Sequence, residues 1–166
     1  FGETNLLKNY GEIFLRFREG TYAASDRVGQ KSPEFSHKWG EHRFSSDQLE
    51  GQNCLLLFLD ERGEFCKQAL QIAESVSLQE NLTPVILYIE KQPENIENRS
   101  GAIILEYTGK TASEYGVTGY PTLFLLDPEG TIRFVKIGYS PLLAEELELA
   151  VRQILHDRPI QAQKNK

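Results

Sequence analysis

The apolar run at residues 54–59, CLLLFL, constrains the fold of this chain most strongly. This run predicts an apolar strand that leads into a short charged loop and then a helix. Apolar residues at helical spacing then cover residues 64–79, and a β-rich apolar run covers residues 83–90. A strand, a helix and a second strand in this order predict a parallel β-α-β unit.

The rest of the chain continues this alternation. The pattern predicts a strand at 102–106, a short helix at 111–115, strands at 120–127 and 131–136 around a Pro-Glu-Gly turn, and a last helix at 141–156. The order β-α-β and then β-β-α predicts an α/β fold, with a central mixed β-sheet and helices on both of its faces.

We divide the chain into three parts: an N-terminal helix and linker at 1–27, one domain at 28–156, and a polar tail at 157–166. Apolar residues in 4–20 recur at helical spacing, which predicts an amphipathic helix. That helix would dock either on the domain itself or on a membrane or partner. Residues 90–100 are polar and turn-rich, as expected for a loop or insertion.

Composition excludes several classes of function. The chain has 18 basic and 24 acidic residues and a net charge of −6, without a basic run interleaved with aromatics, so nucleic acid is not an expected partner. Its longest apolar runs are far shorter than the roughly 20 residues that cross a bilayer. Since the sequence opens on Phe1 and contains no methionine, we expect a longer precursor. An extracytoplasmic protein, tethered to the membrane through a missing segment, is favoured over a cytoplasmic one.

Four sequence blocks carry a family resemblance. They are VGQKSPEF from Val28, LEGQNCLLLFLD, GEFCKQAL and YGVTGYPTLFLLDPEGTIRF. Together they resemble the thioredoxin-like and redoxin families, especially the membrane-anchored thiol-disulfide proteins of the TlpA/ResA and MauD (methylamine dehydrogenase maturation) kind. The likeness covers Val28 to about Leu155. It implies a thioredoxin-like fold, thiol-redox chemistry without a cofactor, and a protein thiol or disulfide, or a protein scaffold, as partner.

The most specific block surrounds Pro121. In the family this proline is cis and faces the active-site loop. Proline is tolerated at the first residue of a strand, where Pro121 falls, although it removes one donor from the ladder. We expect the backbone of Tyr120 to be able to pair with an extended substrate or partner there.

The family's active site is a Cys-x-x-Cys at a helix start, where the helix dipole and free amides lower the pKa of a thiol. In this chain Gly63 stands at the first cysteine position and Cys66 at the second. Glu64 and Phe65 lie between them and, with Tyr120 and Pro121, are predicted to contact a partner. With one cysteine the dithiol cycle is impossible, and at most monothiol exchange remains.

Cys54 does not restore the missing pair. It opens the strand whose far end leads to Cys66, and extended residues at about 3.3 Å each place the two almost 20 Å apart. A disulfide needs Cα atoms within about 4.4–6.8 Å, so we predict that Cys54 is a buried apolar residue.

Whether the chain is an enzyme is left open by its sequence. Besides monothiol exchange, the alternatives are a non-catalytic module that binds a protein beside Pro121, and a peroxiredoxin-like peroxidase acting through Cys66. The peroxiredoxin frame lacks its proline and threonine, which are Leu59 and Gly63 here. The exposure of Cys66 separates these readings, because a buried thiol favours the module.

The sign of the pKa shift at Cys66 is also open. Asp60, Glu61 and Glu64 crowd the loop and disfavour a thiolate, whereas Arg62 and the helix start favour it. No metal site is expected, since His37 and His42 have no third ligand nearby in sequence and are predicted to be surface residues.

Overall fold

The computed structural model describes residues 24–39, 41–60, 62–89, 103–107 and 109–156. Its strands are β1 (Ser36–Trp39), β2 (His42–Ser45), β3 (Cys54–Leu59), β4 (Thr83–Ile89), β5 (Ile103–Tyr107), β6 (Thr122–Leu126) and β7 (Ile132–Ile137). Its α-helices are α1 (Cys66–Glu80), α2 (Lys110–Glu114) and α3 (Leu143–Ala150), the last continued by a π-helical segment, Val151–His156. Short 3-10 helices occupy Ser25–Arg27 and Ser46–Leu49.

Within the described residues the main sheet has five strands in the order β5-β4-β3-β6-β7. β3, β4 and β5 are parallel, whereas β6 and β7 add antiparallel to the other edge. Strands β1 and β2 form a separate antiparallel pair. The predicted α/β fold with a central mixed sheet is therefore confirmed.

Strand β3 lies at the centre of this sheet, and all six of its side chains are buried. Because side chains alternate along a strand, Leu55, Leu57 and Leu59 enter one core cluster and Cys54, Leu56 and Phe58 enter the other. This explains why β3 reads as a continuous apolar run rather than an alternating one.

The two faces of the sheet are covered differently. Helices α1 and α3 cover the first face, which we call the helix face, and supply small and aliphatic side chains such as Ala69, Ala73 and Leu147. The second face, which we call the aromatic face, is covered by α2 and the segments around β1 and β2. It contains Phe35, Phe58, Tyr115 and Phe124, whose ring centroids lie 5.1–6.2 Å apart in neighbouring pairs.

The sequence placed most of these elements within two residues. The exception is the β1-β2 hairpin, for which the sequence pattern predicts no strands. The hairpin is fixed to α2 by His37, whose Nε2 lies 3.1 Å from the Thr111 hydroxyl, and burial lowers the pKa of His37. His37 is thus half-buried rather than a surface residue.

Residues before Val28 also pack against the domain. Ala24 is buried in the aromatic-face cluster, and the 3-10 helix after it contacts β7. The predicted N-terminal helix, the loop at 90–100 and the tail at 157–166 lie outside the described residues.

Candidate functional site

Cys66 is the first residue of α1 and follows the loop that leaves β3. The loop is closed by two backbone hydrogen bonds: the Gly63 N–H donates to the Asp60 carbonyl at 2.9 Å, and the Cys66 N–H donates to the Gly63 carbonyl at 3.3 Å. Only 4% of Cys66 is exposed, since its side chain joins the helix-face cluster. The thiol is therefore at a helix start but faces inward.

Gly63 approaches the Cys66 side chain closely. A Cβ built on Gly63 would lie 2.5 Å from Cys66 Sγ and 3.2 Å from the Asp60 carbonyl oxygen. Any side chain at position 63 must therefore displace the Cys66 sulfur. The same built Cβ lies 3.5 Å from Cys66 Cβ, at the lower end of the range of about 3.5–4.5 Å found across disulfides. A cysteine at position 63 would therefore have its Cβ within disulfide distance of Cys66.

The structure gives a sign to the pKa shift that the sequence left open. Burial raises the pKa of the Cys66 thiol above its ordinary value. A hydrogen bond from the Asp60 backbone opposes this shift, and the Asp60 carboxylate adds to it. The net direction is upward, so the neutral thiol is favoured and the nucleophilic thiolate is disfavoured.

Cys54 lies at the opposite end of β3 and on the aromatic face. It is 1% exposed, and burial raises its pKa to about 12. Both cysteines of the chain are free thiols, which confirms that Cys54 is a buried residue and not a disulfide partner.

Phe65 and Tyr139 form the aromatic part of the site. Phe65 is 45% exposed, and its ring stacks on Tyr139 with centroids 5.0 Å apart and planes inclined by 7°. Tyr139 in turn packs against the cluster that contains Cys66. Glu64, beside Phe65, is exposed.

Tyr120 and Pro121 lie at the same end of the sheet. Strand β6 begins at Thr122, which is opposite Phe58 near the end of β3. The Tyr120-Pro121 peptide bond is cis, as predicted. The Pro121 carbonyl accepts a hydrogen bond from Gly138, the residue before Tyr139, at 2.8 Å. The structure thus brings the Pro121 segment, the Tyr139 loop and the Cys66 loop to one edge.

An ion pair holds the Tyr139 loop in place. Lys136 Nζ lies 2.8 Å from Glu146 Oε2, and the Ser140 hydroxyl donates to Glu146 Oε1 at 3.0 Å. The hydrogen bond with Lys136 is the largest cause that lowers the pKa of Glu146. The end of β7, the loop and α3 are therefore tied together next to the site.

Several solved structures share this architecture. The fold is thioredoxin-like. A thiol:disulfide interchange protein of the thioredoxin family from Chlorobium tepidum TLS matches with a TM-score of 0.60 and 20% identity, over 75% of this chain and 95% of that one. The MTB dsbF structure, in mixed oxidized and reduced forms, matches with a TM-score of 0.62 and 23% identity, over 74% and 98%. A DsbF homologue from Corynebacterium diphtheriae matches with a TM-score of 0.61 and 15% identity, over 75% and 87%.

No protein-family model and no curated protein matches the sequence. At these identities the solved structures establish the fold alone, because one fold can host many chemistries.

Sequence reasoning missed Tyr139 and the role of Ser140 and Glu146. No motif marks them, because their importance comes from tertiary contacts: Tyr139 stacks on Phe65, and Ser140 and Lys136 bind Glu146. Asp60 was singled out for its charge, and the structure adds its backbone hydrogen bond. Glu61 lies outside the described residues.

Metal ligation finds no support in the part of the chain that the structure describes, where no three His, Cys, Asp or Glu side chains converge. No described helix is long and apolar enough to cross a membrane. The side chain of His42 is outside the description.

Proposed function

We propose that this chain is a thioredoxin-fold protein of the thiol-redox class whose site binds a protein partner beside Pro121 without catalysing disulfide turnover. The observation that carries the proposal is the Cys66 sulfur, which is buried and fills the space beside Gly63. A sulfur in this position has the environment of a resolving thiol, not of an attacking one, and the residue that would attack is absent.

The surface around the site supports partner binding. Phe65 is half-exposed and braced against Tyr139, and the neighbouring Leu142 is 60% exposed. Rigid aromatic rings contribute contact area at low conformational cost, and they are enriched in protein interfaces. An extended partner chain at this edge would meet Phe65, Tyr139 and the Tyr120-Pro121 segment together.

The test uses an extended polypeptide without thiols, reduced and S-carboxymethylated α-lactalbumin. We expect it to shift the amide resonances of Glu64, Phe65 and Tyr120, and to bind the Cys66→Ser variant as well as the parent. Phe65→Ser should weaken binding about tenfold, since interface aromatics often contribute more than 1 kcal/mol. Leu149→Ser removes an apolar residue on α3 that is somewhat more exposed than Phe65, and should have no effect. Equal loss in both variants would contradict a specific groove.

Monothiol exchange is the second candidate. The position of Cys66 at a helix start and its hydrogen bond from the Asp60 backbone both favour a thiolate. In exchange, the thiolate would attack a disulfide, form a mixed disulfide and release the other sulfur as a thiolate. Incubation of the folded protein with oxidised glutathione distinguishes the candidates. An intact-mass adduct on Cys66 supports exchange, and an adduct that requires denaturant supports the binding module.

The peroxidase reading has no supporting observation. Leu59, at the proline landmark, is buried within β3, and Gly63 has no hydroxyl for a peroxide. We also propose that the chain is a degenerate member of the membrane-anchored TlpA/ResA and MauD kind. The support for this finer assignment is the sequence block around Pro121 and the Gly63-x-x-Cys66 spacing.

A further inference from the structure

A cavity of about 170 Å³ lies at the end of the sheet away from Cys66. Its walls come from the start of β3, the end of β6 and the turn after it, and the segments around the β1-β2 hairpin. Because β3 rises about 3.3 Å per residue, its length separates the cavity from the Cys66 loop by almost 20 Å. The cavity is therefore distinct from the candidate partner site.

The floor of the cavity is apolar. Phe35, Leu49, Cys54, Tyr115 and Leu126 line it, and all five are buried. An apolar cavity of about 150 Å³ in a protein is large enough to bind benzene. The cavity can therefore accommodate an apolar group about the size of one six-membered ring.

The mouth of the cavity is acidic. The lining contains four exposed carboxylates, from Glu34, Asp47, Glu50 and Glu129, and one basic residue, Lys31; a fifth carboxylate, Asp127, is buried and paired with Arg133. Carboxylates around a low-dielectric hollow focus a negative potential and attract cations. The cavity sets the size of a ligand, and the mouth sets the sign of its charge.

The carboxylates are arranged around the mouth and do not converge. Among the described residues, no group of three acidic, histidine or cysteine side chains is placed to hold a metal ion. Carboxylates that are separated in this way can attract a delocalised or amphiphilic organic cation, but they cannot supply the several converging oxygen ligands that a compact metal ion needs. We propose that this cavity binds a small organic cation. Its apolar part, about the size of one ring, would lie against Leu49 and Cys54 on the floor, and its amidinium or ammonium group would lie at the acidic mouth.

The test compares three compounds of nearly identical shape: benzamidinium, neutral benzamide and benzoate. We expect benzamidinium to bind with a dissociation constant on the order of 1 mM, as is usual for so small a ligand. Benzamide should bind about tenfold more weakly, and benzoate should not bind. The shifted amides should include Gly51, Leu126 and Gly130, and should exclude Phe65. Added salt should weaken benzamidinium binding selectively.

Charge variants test the mouth without touching the core. Asp47→Asn combined with Glu50→Gln should weaken benzamidinium about two- to fivefold per carboxylate and leave benzamide unchanged. Glu145→Gln combined with Glu148→Gln, on α3, is the matched control and should have no effect. Leu49→Phe should fill the floor and abolish binding of both compounds. If that variant does not fold, the charge pair still decides the question. Equal binding of all three compounds, binding of none, or shifts centred on Phe65 would overturn the proposal.

Discussion

The two cysteines of this chain lie at opposite ends of β3 and on opposite faces of the sheet, and they are buried by different means. Cys54 is part of a central strand and is covered by the aromatic face. Cys66 is at a helix start and belongs to the cluster against which Tyr139 packs, and the loop that carries Tyr139 is held by side-chain contacts. Cys54 also lines the floor of the cavity, so its low reactivity comes from its raised pKa and its place in a central strand, whereas we expect a local opening to expose Cys66. Equal burial in a structure can therefore hide very different reactivity.

The largest expected difference is in the rate of alkylation. With a pKa of about 12, Cys54 carries about 10³-fold less thiolate at pH 8 than an ordinary thiol. We expect iodoacetamide to label Cys66 slowly and Cys54 hardly at all in the folded protein, with the two sites resolved by peptide mass spectrometry. In a urea series, Cys54 labelling should follow global unfolding, and Cys66 labelling should begin earlier. Identical urea dependence of the two sites would remove the distinction.

The second prediction adds a second cysteine to the loop before α1. Gly63→Cys should form a disulfide with Cys66, because the built Cβ lies 3.5 Å from Cys66 Cβ, once the Cys66 sulfur rotates away. Closing so short a loop should make the oxidised form more stable than the reduced form by at most about 2 kcal/mol. Urea unfolding of both forms and a count of titratable thiols check this.

Gly63→Ser is the matched control for the added cysteine. It introduces the same crowding at the Cys66 sulfur without a bridge, and should only destabilise the protein. If oxidised glutathione leaves all three thiols of Gly63→Cys titratable, the loop does not have disulfide geometry.

The same contrast explains what the sequence could predict. The strands β3 and β6 were predictable because their unbroken apolar runs have the length of a buried strand and are too short for a buried helix. The Gly63 position and the cis Pro121 followed from spacing and resemblance. The β1-β2 hairpin was missed because its residues are mostly polar, and nothing in SHKW or HRFS shows an alternating apolar face. The upward shift of the Cys66 pKa depends on its burial in the helix-face cluster, and spacing along the chain does not reveal that burial.

The third prediction tests the aromatic face against the helix face. The Tyr115 hydroxyl is buried and donates to the Pro33 carbonyl at 2.8 Å. Tyr115→Phe should therefore lower the free energy of unfolding by about 1 kcal/mol, because the hydrogen bond to the half-buried Pro33 carbonyl is lost. Tyr139→Phe on the helix face keeps the stacked ring and should change the free energy of unfolding by less than about 0.5 kcal/mol. Equal effects in urea unfolding would mean that the two faces are held in the same way.

The smallest effect concerns the ion pair beside the site. Lys136 and Ser140 hold the pKa of Glu146 below its ordinary value. Their contribution to the free energy of unfolding is therefore fully present above the unfolded pKa of about 4.3. It is lost as the pH falls through the lower pKa of the folded state. About a third of the Glu146 side chain is exposed, so solvent screening limits the contribution to at most about 1 kcal/mol. Glu146→Gln should remove it at pH 7 and flatten the pH dependence of the urea midpoint between pH 5 and 3.

Glu145→Gln, which changes an exposed neighbour outside the ion pair, should leave that pH dependence intact. The decisive readout for the site is labelling, not stability. Since Glu146 holds the loop that carries Tyr139, Glu146→Gln should speed the alkylation of Cys66 a few-fold and leave Cys54 unchanged. If both cysteines respond together, the ion pair supports the whole fold and the Cys66 end has no separate opening. If only Cys66 responds, the loop after β7 controls access to the one sulfur that remains in the site.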